Sequence, residues 1–110
     1  MKIVDLLDKL IVKTELKELK WHASNTIGRY ELDLKNETVA LDSNFSAYYE
    51  NGNIDKKNLI YRLLIIDKNA NVKSYNFNIY NEYFSRIENL YKKVNEFYND
   101  NFLKNIIEEM

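Results

Sequence analysis

The first residues to consider are those that could hold a metal ion or act as a nucleophile. The chain has one histidine, His22, and no cysteine, so the side chains that most often bind transition metals are nearly absent. Ser24 lies two residues from His22, but nucleophilic catalysis also needs a third group that orients the base. We therefore expect no metal site and no catalytic triad, and we interpret His22 as a surface or strand residue.

Asp67, Asn69 and Asn71 repeat the spacing of the first ligands of a calcium-binding helix–loop–helix loop. The rest of that pattern is missing, because Val72 stands where the loop needs glycine and Asn78 stands where it needs a bidentate glutamate. The flanking segments alternate as strands do. The sequence therefore predicts a hairpin turn here.

Paired carboxylates and glycine-rich loops are the remaining signs of catalysis. Glu31 and Asp33 form a pair, but they fall on the polar side of an alternating segment, and only burial would raise a carboxyl pKa enough for acid–base work. Gly28 and Gly52 are the only glycines and are too far apart to form one phosphate-binding loop. These observations favour a protein that is not an enzyme and indicate no cofactor.

Length and composition restrict the class of protein. The 110 residues fit one domain spanning 1–110. The formal net charge of −1 argues against nucleic-acid binding, which usually requires a basic protein. No apolar run is long enough for a membrane span, and no secretory signal is visible, so we expect a cytoplasmic protein. The abundance of Asn, Lys, Ile and Tyr, beside two Gly and no Pro, indicates AT-rich coding DNA. A low-GC bacterium, or a phage or mobile element of one, is the predicted source.

Hydrophobic spacing divides the chain into a helix, a set of strands and a second helix. Apolar residues at helical spacing predict a first helix over 2–20, with a break near Lys13 and Thr14 left open. Residues 29–35 alternate as a half-buried antiparallel strand, Thr38–Leu41 form a second, and Trp21 and Ala23 are compatible with a strand start.

The second half of the chain continues the sheet and ends in a helix. Phe45, Ala47 and Tyr49 alternate, and Asn51-Gly52 predicts a hairpin. The apolar run 59–66 predicts a central strand, and 72–79 alternate again. A largely aromatic stripe then predicts a long helix from residue 80, with Asn78 as N-cap. Asn99–Asn101 are either its stop or part of a continuation.

These elements predict an α+β fold with an N-terminal helix, an antiparallel meander of about four strands and a long C-terminal helix. Both helices are expected on one face of the sheet, because their apolar stripes need one apolar surface.

The many aromatic residues predict a binding surface, because tyrosine supplies rigid contact area with a polar tip. The main hypothesis is a small non-enzymatic protein-binding module, such as an accessory, inhibitor, antitoxin or immunity protein of a phage or mobile element. Its partner is another protein or a second copy of the chain. The candidate contact residues are Trp21, Tyr48, Tyr49 and Arg62.

Two alternatives remain open from the sequence. The first is a nucleic-acid-binding accessory protein, which a basic and aromatic sheet face would favour. The second is a small ligand-binding protein or enzyme with a carboxylate or tyrosine in an apolar pocket, which a deep pocket around His22 or a buried glutamate would favour.

Overall fold

The computed structural model describes residues 2–44 and 56–110. Among them, five strands and two long helices follow one another, together with a short 3-10 helix, Lys56–Asn58. The elements are α1 (Ile3–Glu15), β1 (His22–Ala23), β2 (Arg29–Asp33), β3 (Glu37–Ser43), β4 (Tyr61–Asp67), β5 (Val72–Phe77) and α2 (Phe84–Glu109). The predicted strand at 45–49 and the predicted hairpin at 51–52 lie outside the described residues.

The first helix begins and ends where its sequence provides backbone partners. The Asp5 carboxylate accepts the N–H of Lys2 at 3.0 Å, which stabilises the first turn. At the other end Lys17 adopts a left-handed conformation with φ 59°. The N–H of Glu18 donates to the carbonyl of Lys13 at 3.0 Å, as in a Schellman motif. The helix therefore ends at Glu15, shortly after the break that the sequence left open.

The strands form one antiparallel meander in the order β1-β2-β3-β4-β5. The continuous apolar run predicted as central is β4, which pairs with β3 and β5. The alternation of β2 sends Tyr30 and Leu32 into the core. The α+β fold is confirmed, with five strands among the described residues where about four were predicted.

Both helices pack on the same face of the sheet, as the sequence predicted. One continuous core joins them to the strands. Its fully buried members are Leu7 of α1, Leu41 and Leu63 of the sheet, and Ile87, Leu90 and Val94 of α2. Arg86 and Asp8, 3.1 Å apart, and Lys93 and Glu15, 2.6 Å apart, join the two helices at the surface.

The turn between β4 and β5 explains the calcium-like spacing. Oδ1 of Asp67 accepts the backbone N–H groups of Asn69 and Asn71, both at 2.9 Å. The hydrogen bonds from Asn71 hold the pKa of the Asp67 carboxyl below its ordinary value. The three residues are thus spaced to hold a hairpin turn.

The long helix begins later than predicted. Asn78 does not cap it: the Asn78 side chain accepts the N–H of Tyr80 at 3.0 Å, and Asn81 accepts that of Tyr83 at 2.8 Å. These two asparagine turns satisfy the backbone ahead of the helix, so α2 starts at Phe84. The continuation through Asn99–Asn101 is confirmed, because α2 runs unbroken to Glu109.

Candidate functional site

The body of α2 is fixed to the sheet by a row of six aromatic rings. Neighbouring ring centroids are 5.3–6.2 Å apart, within the range of favourable edge and offset contacts. In order, the rings are Phe84, Tyr61, Tyr91, Tyr30, Tyr98 and Phe102. The row follows α2 from its first turn to the point where the helix leaves the sheet.

Each buried tyrosine of this row has a partner for its hydroxyl. The hydroxyl of Tyr30 donates to the side-chain oxygen of Asn95, and that of Tyr91 donates to the carbonyl of Gly28 at 2.9 Å. Burial, together with nearby Glu88, raises the pKa of Tyr61 to about 12, and burial raises the pKa of Tyr91 as well. The hydroxyls are satisfied and protonated, which is typical of a structural cluster.

From the last ring of this row, Phe102, the final turns of α2 leave the protein body. Every residue from 99 to 110 is exposed. Large apolar side chains are prominent among them, with 52% of Phe102, 57% of Leu103, 70% of Ile107 and 97% of Met110 accessible, and 41% of Ile106. We call this group the α2-end stripe: Phe102, Leu103, Ile106, Ile107 and Met110.

The α2-end stripe lies on one side of the helix. Leu103, Ile106, Ile107 and Met110 have the i, i+3, i+4, i+7 spacing of helices that enter apolar grooves. At 100° per residue, the centre of the stripe is about 160° around the helix from the side that carries Ile87, Leu90 and Val94. The stripe therefore does not extend the buried side of α2.

Arg62 lies on the other face of the sheet, in a partly buried ion cluster. Its Nη2 is 2.6 Å from Oδ2 of Asp42, and its Nε is 3.1 Å from Oδ1. Arg29 approaches the same carboxylate at 3.9 Å. These hydrogen bonds raise the pKa of Arg62. The side chain of Arg62 is 44% exposed, so part of it remains available to a partner.

Exposed apolar side chains lie near this cluster. A surface groove of about 460 Å³ is lined by Arg62, Asp42, Ile27 and Ile60, among others. Ile27 is 85% exposed. Among the described residues of this sheet face, the positive charges of Arg29 and Arg62 are balanced by three carboxylates, those of Glu31, Asp33 and Asp42. No described Phe, Tyr or Trp of the strands lies beside them. The described part of the face is therefore neither basic nor aromatic.

Trp21 does not lie on an exposed face. It is only 4% accessible, and its indole N–H donates to Oγ1 of Thr14 at 3.0 Å, while that hydroxyl donates to the carbonyl of Leu10 at 2.7 Å. Trp21 was predicted as a contact residue, but its burial leaves little of the ring accessible to a partner, because the apolar ring completes the core at the end of α1. Tyr48 and Tyr49 lie outside the described residues, and their role stays a prediction.

The α2-end stripe was missed as a candidate site. The sequence predicts Phe102, Leu103, Ile106 and Ile107 to form a short final helix or a continuation of the long one, but it also contains a further signal. The apolar positions after Asn99 no longer align with those before it, and a stripe that changes side within one straight helix has to face something else.

The residues considered as metal ligands do not come together in the described part of the chain. Residues 2–44 and 56–110 contain no cluster of His, Asp and Glu that could hold a metal ion. His22 is an exposed residue of β1, with Nε2 3.0 Å from Oδ2 of Asp33.

No described helix has the length and apolar character of a membrane span.

Comparisons with protein-family models, curated protein sequences and solved structures find no match to this chain.

Proposed function

We propose that this chain is a small non-enzymatic protein-binding module that acts by stoichiometric binding to a protein partner. The observation that supports this proposal is the α2-end stripe, which exposes five large apolar side chains on the last turns of a helix. Contiguous exposed apolar patches of this kind mark interaction sites. Stoichiometric binding needs shape and anchoring side chains and no reactive group.

The expected mode of binding is a helix in a groove. A groove covers a helix from three sides, and each large apolar side chain it buries contributes roughly 1.5–3 kcal/mol. Across 99–110 the charges are Asp100, Lys104, Glu108 and Glu109, a net of −2 (three acidic, one basic). The matching partner has an apolar groove with a basic rim.

The same charges argue for a protein partner over two other surfaces. Amphipathic helices that bind membranes are rich in lysine and arginine on their polar side, whereas this one is acidic. Phosphate backbones also require basic residues. Arg62 is proposed as a secondary contact residue on the opposite face of the sheet. Tyr48 and Tyr49 stay predicted contact residues.

The cellular role that we propose is that of an accessory, inhibitor, antitoxin or immunity-type protein of a phage or mobile element in an AT-rich bacterium, acting in the cytoplasm. The support is the small single domain, the codon-biased composition and a binding surface without reactive groups.

The test is affinity capture from the lysate of a low-GC bacterium, with nuclease and with a matched pair of variants. Leu103→Glu/Ile107→Glu places two carboxylates in the stripe, and Asn101→Glu/Asn105→Glu places two on the polar side. We expect one protein to be retained near 1:1 by the wild type and the control, and to be lost with the stripe variant. Retention that depends on nucleic acid, or that is equal for both variants, would contradict the proposal.

A further inference from the structure

One outer edge of the sheet is β5, the last strand of the described meander. Among the described residues, β5 pairs with β4 alone. Within residues 2–44 and 56–110, no other backbone group bonds to residues 72–77. Free strand edges readily pair with another chain unless they are short or blocked. β5 contains no proline, and Lys73 is its one charged residue.

The hydrogen bonds of the neighbouring strands show which residues of β5 point outward. The N–H of Asn44 donates to the carbonyl of Ile60 at 3.3 Å, and that of Asp67 donates to the carbonyl of Asn71 at 3.0 Å. Because bonded positions alternate along an antiparallel ladder, the backbones of Lys73, Tyr75 and Phe77 bond to β4. The N–H and C=O groups of Val72, Ser74 and Asn76 therefore face away from the sheet.

We propose that this edge pairs with the β5 edge of a second copy of the chain, in an antiparallel two-fold arrangement centred on Ser74. Val72 then pairs with Asn76 of the other copy, and Ser74 pairs with Ser74, which gives about six main-chain hydrogen bonds. This interface is separate from the α2-end stripe and goes beyond the proposed function.

The side chains favour this register over its neighbours. Centring on Ser74 sets Lys73 opposite Tyr75 of the other copy, where the two side chains can form a cation–π contact. The same pair already makes such a contact within one chain, with the Lys73 ammonium 5.6 Å from the centre of the Tyr75 ring. A shift of two residues one way sets Lys73 against Lys73, where like charges repel. The opposite shift sets Lys73 against Phe77, which is 2% exposed and already covered by its own core.

The pairing stops at a dimer. A two-fold contact uses the β5 edge of both copies. The edge left at each end of the joined sheet is β1, which has only two residues, His22–Ala23, and a strand that short is a poor template for further pairing.

The test is sedimentation equilibrium of the full chain and of two variants at one position. Ser74→Pro removes an outward N–H, which an edge strand tolerates, and Ser74→Thr keeps that N–H. We expect the wild type and the Thr variant to rise from 13.2 kDa to twice that mass between about 5 and 500 µM, the range suited to an interface below standard size. The Pro variant is expected to stay monomeric with an unchanged circular dichroism spectrum.

A wild type that stays monomeric overturns the proposal. So does a folded Pro variant that still dimerises, or a dimer that Leu103→Glu/Ile107→Glu abolishes, since the interface is then elsewhere.

A cysteine measurement covers the case in which the Pro variant does not fold. The chain has no cysteine, so single substitutions give an unambiguous result. Paired Cα atoms at Ser74 are about 5.5 Å apart in this register, within disulfide range, whereas the two Asn69 positions are roughly 30 Å apart. Mild oxidation is expected to cross-link Ser74→Cys and leave Asn69→Cys monomeric; equal cross-linking of the two contradicts the pairing.

Discussion

Among residues 2–44 and 56–110, two residues other than glycine hold left-handed backbone conformations that glycine adopts at lower cost. Lys17 has φ 59° at the end of α1, and Ala70 has φ 65° in the β4–β5 turn. A side chain with a Cβ costs roughly 1–2 kcal/mol in this region. We expect Lys17→Gly and Ala70→Gly each to raise the free energy of unfolding by about 1 kcal/mol in urea titrations. Asn69→Gly, in the same turn but without a positive φ, is the control and should not stabilise.

The hydroxyl of Thr14 is expected to matter more than its methyl group, because it satisfies the buried indole N–H of Trp21. Thr14→Val keeps the shape but leaves that donor unpaired, which costs about 1–3 kcal/mol. Thr14→Ser should cost clearly less. The only tryptophan reports the unfolding by fluorescence, and equal losses for the two variants would show that packing dominates.

These residues also show what sequence reasoning could reach. The spacing of Asp67, Asn69 and Asn71 was enough to predict a turn, because hydrogen bonds across two to four residues are local. The burial of Trp21 depends on Thr14 of a different element, so no pattern around Trp21 could reveal it.

At the scale of the element, substitutions can distinguish the side of α2 that is buried in the core from its less buried positions. Ile87 is fully buried, and Tyr83 is half-buried at the N-terminus of the helix. Ile87→Ala is expected to cost roughly 2–5 kcal/mol, and Tyr83→Ala less than half of that. Denaturant unfolding of both variants measures the difference. If Ile87→Ala barely changes stability, the assignment of this helix side to the core is wrong.

The tyrosine row predicts loss of stability at high pH. In the folded protein the pKa of Tyr61 is raised from 10.0 to about 12, so between these values the unfolded chain releases a proton that the folded chain retains. Stability is therefore full below pH 10 and falls as the pH rises toward 12.

Absorbance at 295 nm and unfolding curves at pH 9 to 12 test this expectation. Tyr61→Phe should have a shallower loss over that range, and Tyr80→Phe, an exposed position, should match the wild type. A wild type whose tyrosines all titrate near 10 while it remains folded would show that the row is not protected.

The pattern of apolar residues predicted the existence and type of α1, β2, β4, β5 and α2, because apolar residues repeat with the period of a helix or a strand or, in β4, form a continuous run. It placed the start of α2 too early, since asparagine side chains at 78 and 81 hold turns where the apolar spacing already looks helical. It also could not show that residues 99–110 leave the body, because exposure depends on where the sheet ends.

At the scale of the whole molecule, stability and binding are expected to reside in different parts of the chain. The sheet, α1 and residues 84–98 of α2 share one core, while residues 99–110 are exposed. Leu103→Glu/Ile107→Glu should therefore change the free energy of unfolding by less than about 1 kcal/mol, as surface substitutions do. A larger loss in thermal or urea unfolding would mean that the stripe belongs to the core.

The most direct measurement of the central claim is calorimetric titration of the purified captured protein with the wild type, Leu103→Glu/Ile107→Glu and Asn101→Glu/Asn105→Glu. We expect 1:1 binding, a loss of at least about 100-fold in affinity for the stripe variant, as for hot-spot residues, and less than about tenfold for the control. Full affinity of the stripe variant, with its fold intact, would contradict the account and place the binding site elsewhere on the protein.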